Sequence, residues 1–466
     1  DCLVACHQNV RMTYQEFDQK VDQMAMAFIR LGLEAGDRIG LYSPNCYEWA
    51  IVQFAASRAD LVLVNVNPAY QAGELDYALK KVEVKVLVTA REFKKSHYVN
   101  IIKSLVPEIS TSPNPYNLEL EGLPTLKAVI RLDDQREDGF LYFADMWNFG
   151  TDHERSQLAI REKYADIDNA SNIQFTSGTT GNPKGATLSH HNILNNAFSF
   201  GQLLHYTDRD RVCIAVPLYH CMGMVLGNMA CIAHGATMVY PNDAFDAALC
   251  LDAIQNEQCT SIIGVPTMFS EIVKEQKENE RNITALRTGL MSGTVCPKVL
   301  IQQVVKHLGA KELAICYGMT ETSPVSVQTK IGDSLDVISQ YAGVAYPHVE
   351  MKIVDERGQI VPRGQVGQVC VRGYHVMMKY WDDEKNTAKT IDRNGWLKSG
   401  DLGVIDPNGY CKIVGRIKDM VIRGGENIYP KEIEEFLRKH DNIIDAQLVG
   451  VPDEKFGEEV CAWIIK

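Results

Sequence analysis

The chain has 466 residues, and 47 Lys and Arg against 59 Asp and Glu leave a formal charge of −12. This balance argues against a basic nucleic-acid binder, while 45% hydrophobic residues argue against global disorder. The 13 cysteines include no C-x-x-C pair, which speaks against a zinc ribbon or thioredoxin-type centre, and no apolar run reaches the ~20 residues of a membrane span.

In chain order, Thr13 and Glu16 form a capping box ahead of Tyr14, Phe17, Val21, Met24, Phe28 and Leu31. That spacing predicts an amphipathic helix over 13–33. Gly36-Asp37 turns into an apolar run at 39–42. Helix-like stretches at 47–58 and 72–81 then alternate with strand-like ones at 61–66 and 85–89, the texture of a parallel sheet with helices on its faces. The stretch 110–123, rich in Pro, Asn and Ser, reads as an exposed loop. A second α/β run covers roughly 170–320, with strands expected at 173–175, 211–216, 236–240, 261–265 and 312–317.

From about 340 the texture changes to short alternating runs (351–354, 367–371, 403–405, 410–414) between Gly, Pro and Asp turns, as in a small β-rich subdomain. After Arg416 come an apolar strand at 420–422, a Gly-rich turn, a helix opening at Pro430 and strands at 447–451 and 460–465. The expected fold class is α/β. A large N-terminal domain over 1–415 combines two α/β subdomains with a small β-rich one, and a small α+β unit covers 416–466.

The most informative segment is Thr176-Ser177-Gly178-Thr179-Thr180-Gly181-Asn182-Pro183-Lys184-Gly185. Glycines let backbone N–H groups approach an anion, hydroxyls donate to phosphate oxygens, and a lysine adds a flexible point charge. A Walker A loop would need Gly at 183 and Ser or Thr at 185, where Pro and Gly stand. The plain alternative is a polar surface loop. In its order of residues, however, the segment resembles the signature loop of the adenylate-forming superfamily, which includes acyl-CoA synthetases, firefly luciferase and peptide-synthetase adenylation domains. The resemblance implies that residues 176–184 hold the β- and γ-phosphates of ATP.

Later motifs occur in the same order as in that family. Tyr317-Gly318-Met319-Thr320-Glu321 is similar to its Y-G-x-T-E. By resemblance Tyr317 lines the adenine site, Thr320 reaches the phosphate, and Glu321 helps hold Mg²⁺. Ser399-Gly400-Asp401 resembles T-G-D, whose Asp takes both ribose hydroxyls, and Gly415-Arg416-Ile417-Lys418-Asp419 resembles G-R-x-x-D, with Arg416 on the nucleotide and Lys418 at a hinge. The run 423–430 resembles the loop that faces thioester formation. Pro217-Leu218-Tyr219-His220-Cys221 is similar to a segment beside the acyl pocket, where His220 would gate the carboxylate; the alternative is a structural histidine. Gly264-Val265-Pro266-Thr267 and Ser292-Gly293-Thr294 would border the acyl and adenine sites, although the second departs from the small-residue-and-Pro pattern of the family.

The resemblance covers the whole chain and is greatest to medium-chain fatty acid–CoA ligases. It implies ATP, Mg²⁺ and CoA, a fatty acid substrate, no nucleic-acid partner, a rotating C-terminal lid and a place in the mitochondrial matrix. The family's lysine in a P-x-x-x-S-G-K setting has no counterpart, and 50 residues follow Arg416. The chain is therefore expected to be truncated, without its targeting segment, and to adenylate weakly. The rival readings are aryl or amino-acid adenylation, a nucleotide-binding pseudoenzyme and a scaffold.

Overall fold

The computed structural model describes residues 1–176, 182–294, 296–423, 426–438, 440, 442–453 and 456–465. The chain divides into two compact units, one of Asp1–Val325 with Tyr374–Thr387, the other of Ser326–Gly373 with Ala388–Lys466.

In the first unit the Thr13 capping box closes in both directions. Glu16 N donates to Thr13 Oγ1 at 3.2 Å, and Thr13 N donates to Glu16 Oε2 at 2.8 Å. The helix runs Tyr14–Arg30 and buries Phe17, Val21, Met24 and Phe28. It stops short of residue 33 because Gly32, at φ +81°, takes the left-handed conformation that ends helices. Helices Tyr47–Arg58 and Ala72–Lys81 begin and end at the predicted residues.

One sheet of this unit has eight strands in the order Lys379–Tyr380, Lys184–Ser189, Ala170–Thr176, Val62–Asn65, Arg38–Tyr42, Val86–Thr89, Ala128–Arg131 and Leu141–Tyr142. From Ala170–Thr176 to Leu141–Tyr142 the neighbours are parallel, and their Val, Leu and Ile runs are buried on both faces. The second sheet aligns Glu312–Gly318, Thr288–Met291, Ser261–Gly264, Arg211–Ile214 and Thr237–Tyr240 in parallel. Leu3–Ala5 adds beside Thr237–Tyr240, pairing Val4 with Val239, so the start of the chain closes a sheet built from its middle.

One strand was not predicted, and one expectation needs correction. The signature loop joins Ala170–Thr176 to an antiparallel strand, Lys184–Ser189, and helix His190–Leu203 follows it, capped by Ser189 with Asn192. The stretch 110–123 is not wholly exposed. Leu118, Leu120 and Leu123 tuck into the core beneath the first sheet, and burying three leucines outweighs the polar character of the residues between them.

In the second unit Val349–Val354, Gly367–Gly373, Leu397–Ile405 and Cys411–Arg416 form an antiparallel four-stranded sheet. A further four-stranded sheet, ordered Glu426–Ile428, Val421–Arg423, Gly457–Ile465 and Asp445–Asp453, carries helix Pro430–Leu437. Among the described residues no helix is long and apolar enough to cross a membrane.

Candidate active site

The signature loop is closed at its base by the hairpin register that sets Thr176 opposite Lys184. Thr176 Oγ1 donates to Lys184 O at 3.4 Å. Ser177, Gly178, Thr179, Thr180 and Gly181 lie outside the described residues. Asn182 is exposed, and Pro183 is held by the Tyr77 hydroxyl, which donates to its carbonyl at 3.1 Å.

Strand Glu312–Gly318 carries half-buried Tyr317 and leads into a 3₁₀ turn, Thr320–Thr322. Backbone proximity shapes this turn. A Cβ on Gly318 would lie 1.8 Å from Pro324 O, so only glycine fits there. Thr322 Oγ1 accepts from Met319 N at 3.0 Å and donates to Pro324 O at 2.8 Å. Ser323 Oγ donates to His375 O at 2.8 Å, and Met377 N donates to Glu321 O at 2.9 Å. Burial holds the fully enclosed His375 imidazole down at about 4, so it is neutral at pH 7.

Lys184 and Glu321 meet through a residue that sequence reasoning missed. Lys184 Nζ donates to the Tyr380 hydroxyl at 3.2 Å and lies 4.2 Å from the Tyr380 ring centroid. The same hydroxyl donates to Glu321 Oε1 at 2.7 Å. Tyr380 stands opposite Ala186 in the strand pairing, two residues along from Lys184 and so on the same face. No motif marks this tyrosine; the available signal is its place on a strand paired with the one that starts at Lys184.

The segment 217–221 is held by buried amide side chains, among them Asn65, whose Nδ2 donates to Tyr219 O at 2.8 Å. Asn45 Nδ2 donates to Val216 O at 2.9 Å, and Asn45 Oδ1 accepts from Leu218 N at 2.8 Å. Cys221 Sγ donates to Gln174 Oε1 at 3.1 Å, and its thiol lies near Thr320 and Glu321. Burial pushes that thiol up to about 12, which keeps it protonated and unreactive. The segment thus lies beside Thr320 and Glu321. His220 has an exposed face, though the protein around its ring lowers its pKa by desolvation and keeps it neutral. After Cys221 the chain winds into a π-helix, Met222–Met229, where Gly223 passes so close to Pro217 O that a Cβ would come within 2.4 Å. Ser292 Oγ donates to Cys316 O at 2.8 Å, tying 292–294 to the strand that carries Tyr317.

In the second unit Asp401 and Arg416 are register partners on adjacent strands, with Arg416 Nε 3.6 Å from Asp401 Oδ1. Asp401 N donates to Ser399 Oγ at 3.0 Å, and Ser399 Oγ donates to Val369 O at 2.8 Å, so the serine that replaces the family's threonine still braces the turn. Lys418 is exposed on the 3₁₀ turn Ile417–Asp419.

Among the described residues no group of three or more His, Cys, Asp or Glu is placed to hold a metal ion. Glu321 offers a single hard carboxylate, which suits Mg²⁺ carried largely by phosphate oxygens and water and does not suit a caged metal.

The family model for "AMP-binding enzyme" matches residues 1–381. The mitochondrial medium-chain acyl-CoA ligase ACSF2 of Danio rerio is 43% identical over 467 residues, covering 100% of this chain and 77% of that protein. YngI of Bacillus subtilis, provisionally named an acyl-CoA synthetase, is 43% identical over 465 residues, covering 100% and 84%. Among solved structures, ATP-bound MatB from Rhodopseudomonas palustris superposes with a TM-score of 0.83 at 26% identity, covering 99% of this chain and 85% of that one. The hairpin loop, the Tyr317–Glu321 turn and these likenesses agree, and the chain belongs to the AMP-binding enzyme family.

Proposed function

We propose that the chain is a fatty acid–CoA ligase acting on medium-chain acids through an acyl-adenylate. The observation that carries this reading is the meeting of Lys184, from the base of the signature loop, with Glu321, from the Tyr317–Glu321 turn, around one tyrosine hydroxyl. A cation and a carboxylate placed together at a glycine- and hydroxyl-rich loop suit a metal-bound polyphosphate. The medium-chain preference rests on the names of the ACSF2 relatives.

A carboxylate oxygen of the acid attacks the α-phosphorus of ATP, the bond to the bridging oxygen breaks, and pyrophosphate leaves. The CoA sulfur then attacks the acyl carbon, AMP departs with the carboxyl oxygen, and the thiol proton goes to solvent. Residues 176–184 bind and orient the β- and γ-phosphates, Thr320 reaches the phosphate, and Tyr317 lines the adenine. Asp401 takes the ribose hydroxyls, Arg416 holds the nucleotide, and His220 stands by the acyl carboxylate as a neutral group. Glu321 would hold Mg²⁺, which when bound spreads phosphate charge. Positioning and fixed charge supply most of the acceleration. We place the domain boundary at 415/416, with Lys418 at the hinge of a lid.

Mass detection of acyl-AMP and acyl-CoA from the full-length protein with graded straight-chain, aryl and amino acids tests the reading. Thioester formed with medium-chain acids supports it; turnover of aryl or amino acids alone overturns it. We place the protein in mitochondria by the ACSF2 relatives, and YngI is a bacterial relative of equal identity. Subcellular fractionation of the full-length chain decides that point.

A further inference from the structure

Lys184 and Glu321 carry opposite charges at the mouth of the loop, yet among the described residues they form no direct ion pair. The two hydrogen bonds through Tyr380 limit their separation to about 6 Å, close enough for strong attraction in a partly desolvated site. Among the described residues the tyrosine hydroxyl bridges the two side chains. It has one proton to donate and lone pairs to accept, and here it accepts from the ammonium and donates to the carboxylate. The phenol ring beneath Nζ steers the cation without neutralising it.

The tyrosine is itself held firmly. Tyr380 is buried, its N–H donates to Thr387 Oγ1 at 3.0 Å, and Trp381 N donates to Gly185 O at 2.7 Å. Met377 N, three residues before Tyr380, donates to Glu321 O at 2.9 Å. The short segment 377–381 therefore grips the backbone on both sides, the strand of Lys184 and the turn of Glu321.

We propose that Tyr380 is a positioning residue that keeps Lys184 and Glu321 from pairing, so that the lysine stays available to the triphosphate. The proposal rests on the ATP reading above. Without the hydroxyl, the two side chains close on each other and incoming phosphate must first separate them.

ATP and AMP affinities by titration calorimetry on the full chain test this. Tyr380→Phe should weaken ATP binding about tenfold, the scale of one charge-assisted hydrogen bond, while AMP binding stays within about twofold and the unfolding temperature is unmoved. In magnesium-free buffer Tyr380→Phe combined with Glu321→Gln should regain most of the lost ATP affinity, because the competing carboxylate has gone. A purely structural tyrosine would weaken ATP and AMP alike and would not be rescued, and either result overturns the proposal. If Tyr380→Phe does not fold, Glu321→Gln alone carries the test: in magnesium-free buffer it should bind ATP at least as tightly as the wild type, and weaker binding overturns the proposal. Lys184→Ala separates the two levels. If it weakens ATP binding while Tyr380→Phe does not, only the role of Tyr380 falls; if Lys184→Ala also leaves ATP binding untouched, the ATP reading falls with it.

Discussion

Glu321 and Asp401 are held by opposite means. Glu321 rides on a turn shaped by main-chain proximity: Gly318 against Pro324, Thr322 bonded at both ends, and Met377 N on the Glu321 carbonyl. Asp401 sits in a strand register, and its charged partner is Arg416, whose side chain is 63% exposed. The first arrangement leaves the carboxylate little room to shift without deforming backbone. The second lets the guanidinium swing away at small cost, because a solvent-exposed ion pair contributes little. Two carboxylates of one chain are thus held in different ways, one on a turn braced by main-chain contacts and one in a strand register beside an exposed guanidinium.

The strongest way to break this contrast is Gly318→Ala. Its methyl would meet a carbonyl oxygen that cannot rotate aside, so denaturant unfolding should show a loss of at least about 3 kcal/mol, and a smaller loss would mean the turn is softer than described. Glu321→Gln sharpens the contrast from the other side. Acyl-AMP formation should fall about a hundredfold, about 2.7 kcal/mol, with stability nearly unchanged.

The buried His375 beside the Ser323 hydroxyl predicts a pH signature for the first region. Unfolded, it takes a proton at the ordinary histidine value of 6.5; folded, it resists until about 4. Its contribution is complete above 6.5 and is lost as pH falls towards 4, amounting to about 2 kcal/mol by pH 5. Urea unfolding at pH 7 and pH 5 should show that loss, and His375→Gln should remove its share. The smallest effects belong to the second region. Asp401→Asn should weaken ATP binding about tenfold, while Arg416→Ala should leave unfolding free energy within about 0.5 kcal/mol.

Legibility in the sequence followed the range of the forces involved. Helices Tyr47–Arg58 and Ala72–Lys81 were readable to the residue because periodicity and helix ends are local. Strand Lys184–Ser189 was not, since its alternation of Ala186 and Leu188 is too short to stand out beside a loop. The docking of Leu3–Ala5 on Thr237–Tyr240 left no trace in either segment. At the candidate site, the turn that carries Thr320 and Glu321 was marked in the sequence by a compact motif. Tyr380 and Asn45 were not, because each acts across a sheet or between distant segments through one side chain. Leu118, Leu120 and Leu123 show the reverse error, where polar neighbours masked a buried triad.

The pairing of Leu3–Ala5 with Thr237–Tyr240 has a consequence for biogenesis. At translation speeds of 5–20 residues per second, residues 3–5 wait roughly 10–50 s before the strand they join has been made. During that interval Leu3 and Val4, both hidden in the finished molecule, are open to solvent and to other nascent chains. A holding chaperone would matter more for these few residues than for the parallel strands of the same sheet from Arg211–Ile214 to Glu312–Gly318, whose neighbours are synthesised soon after them.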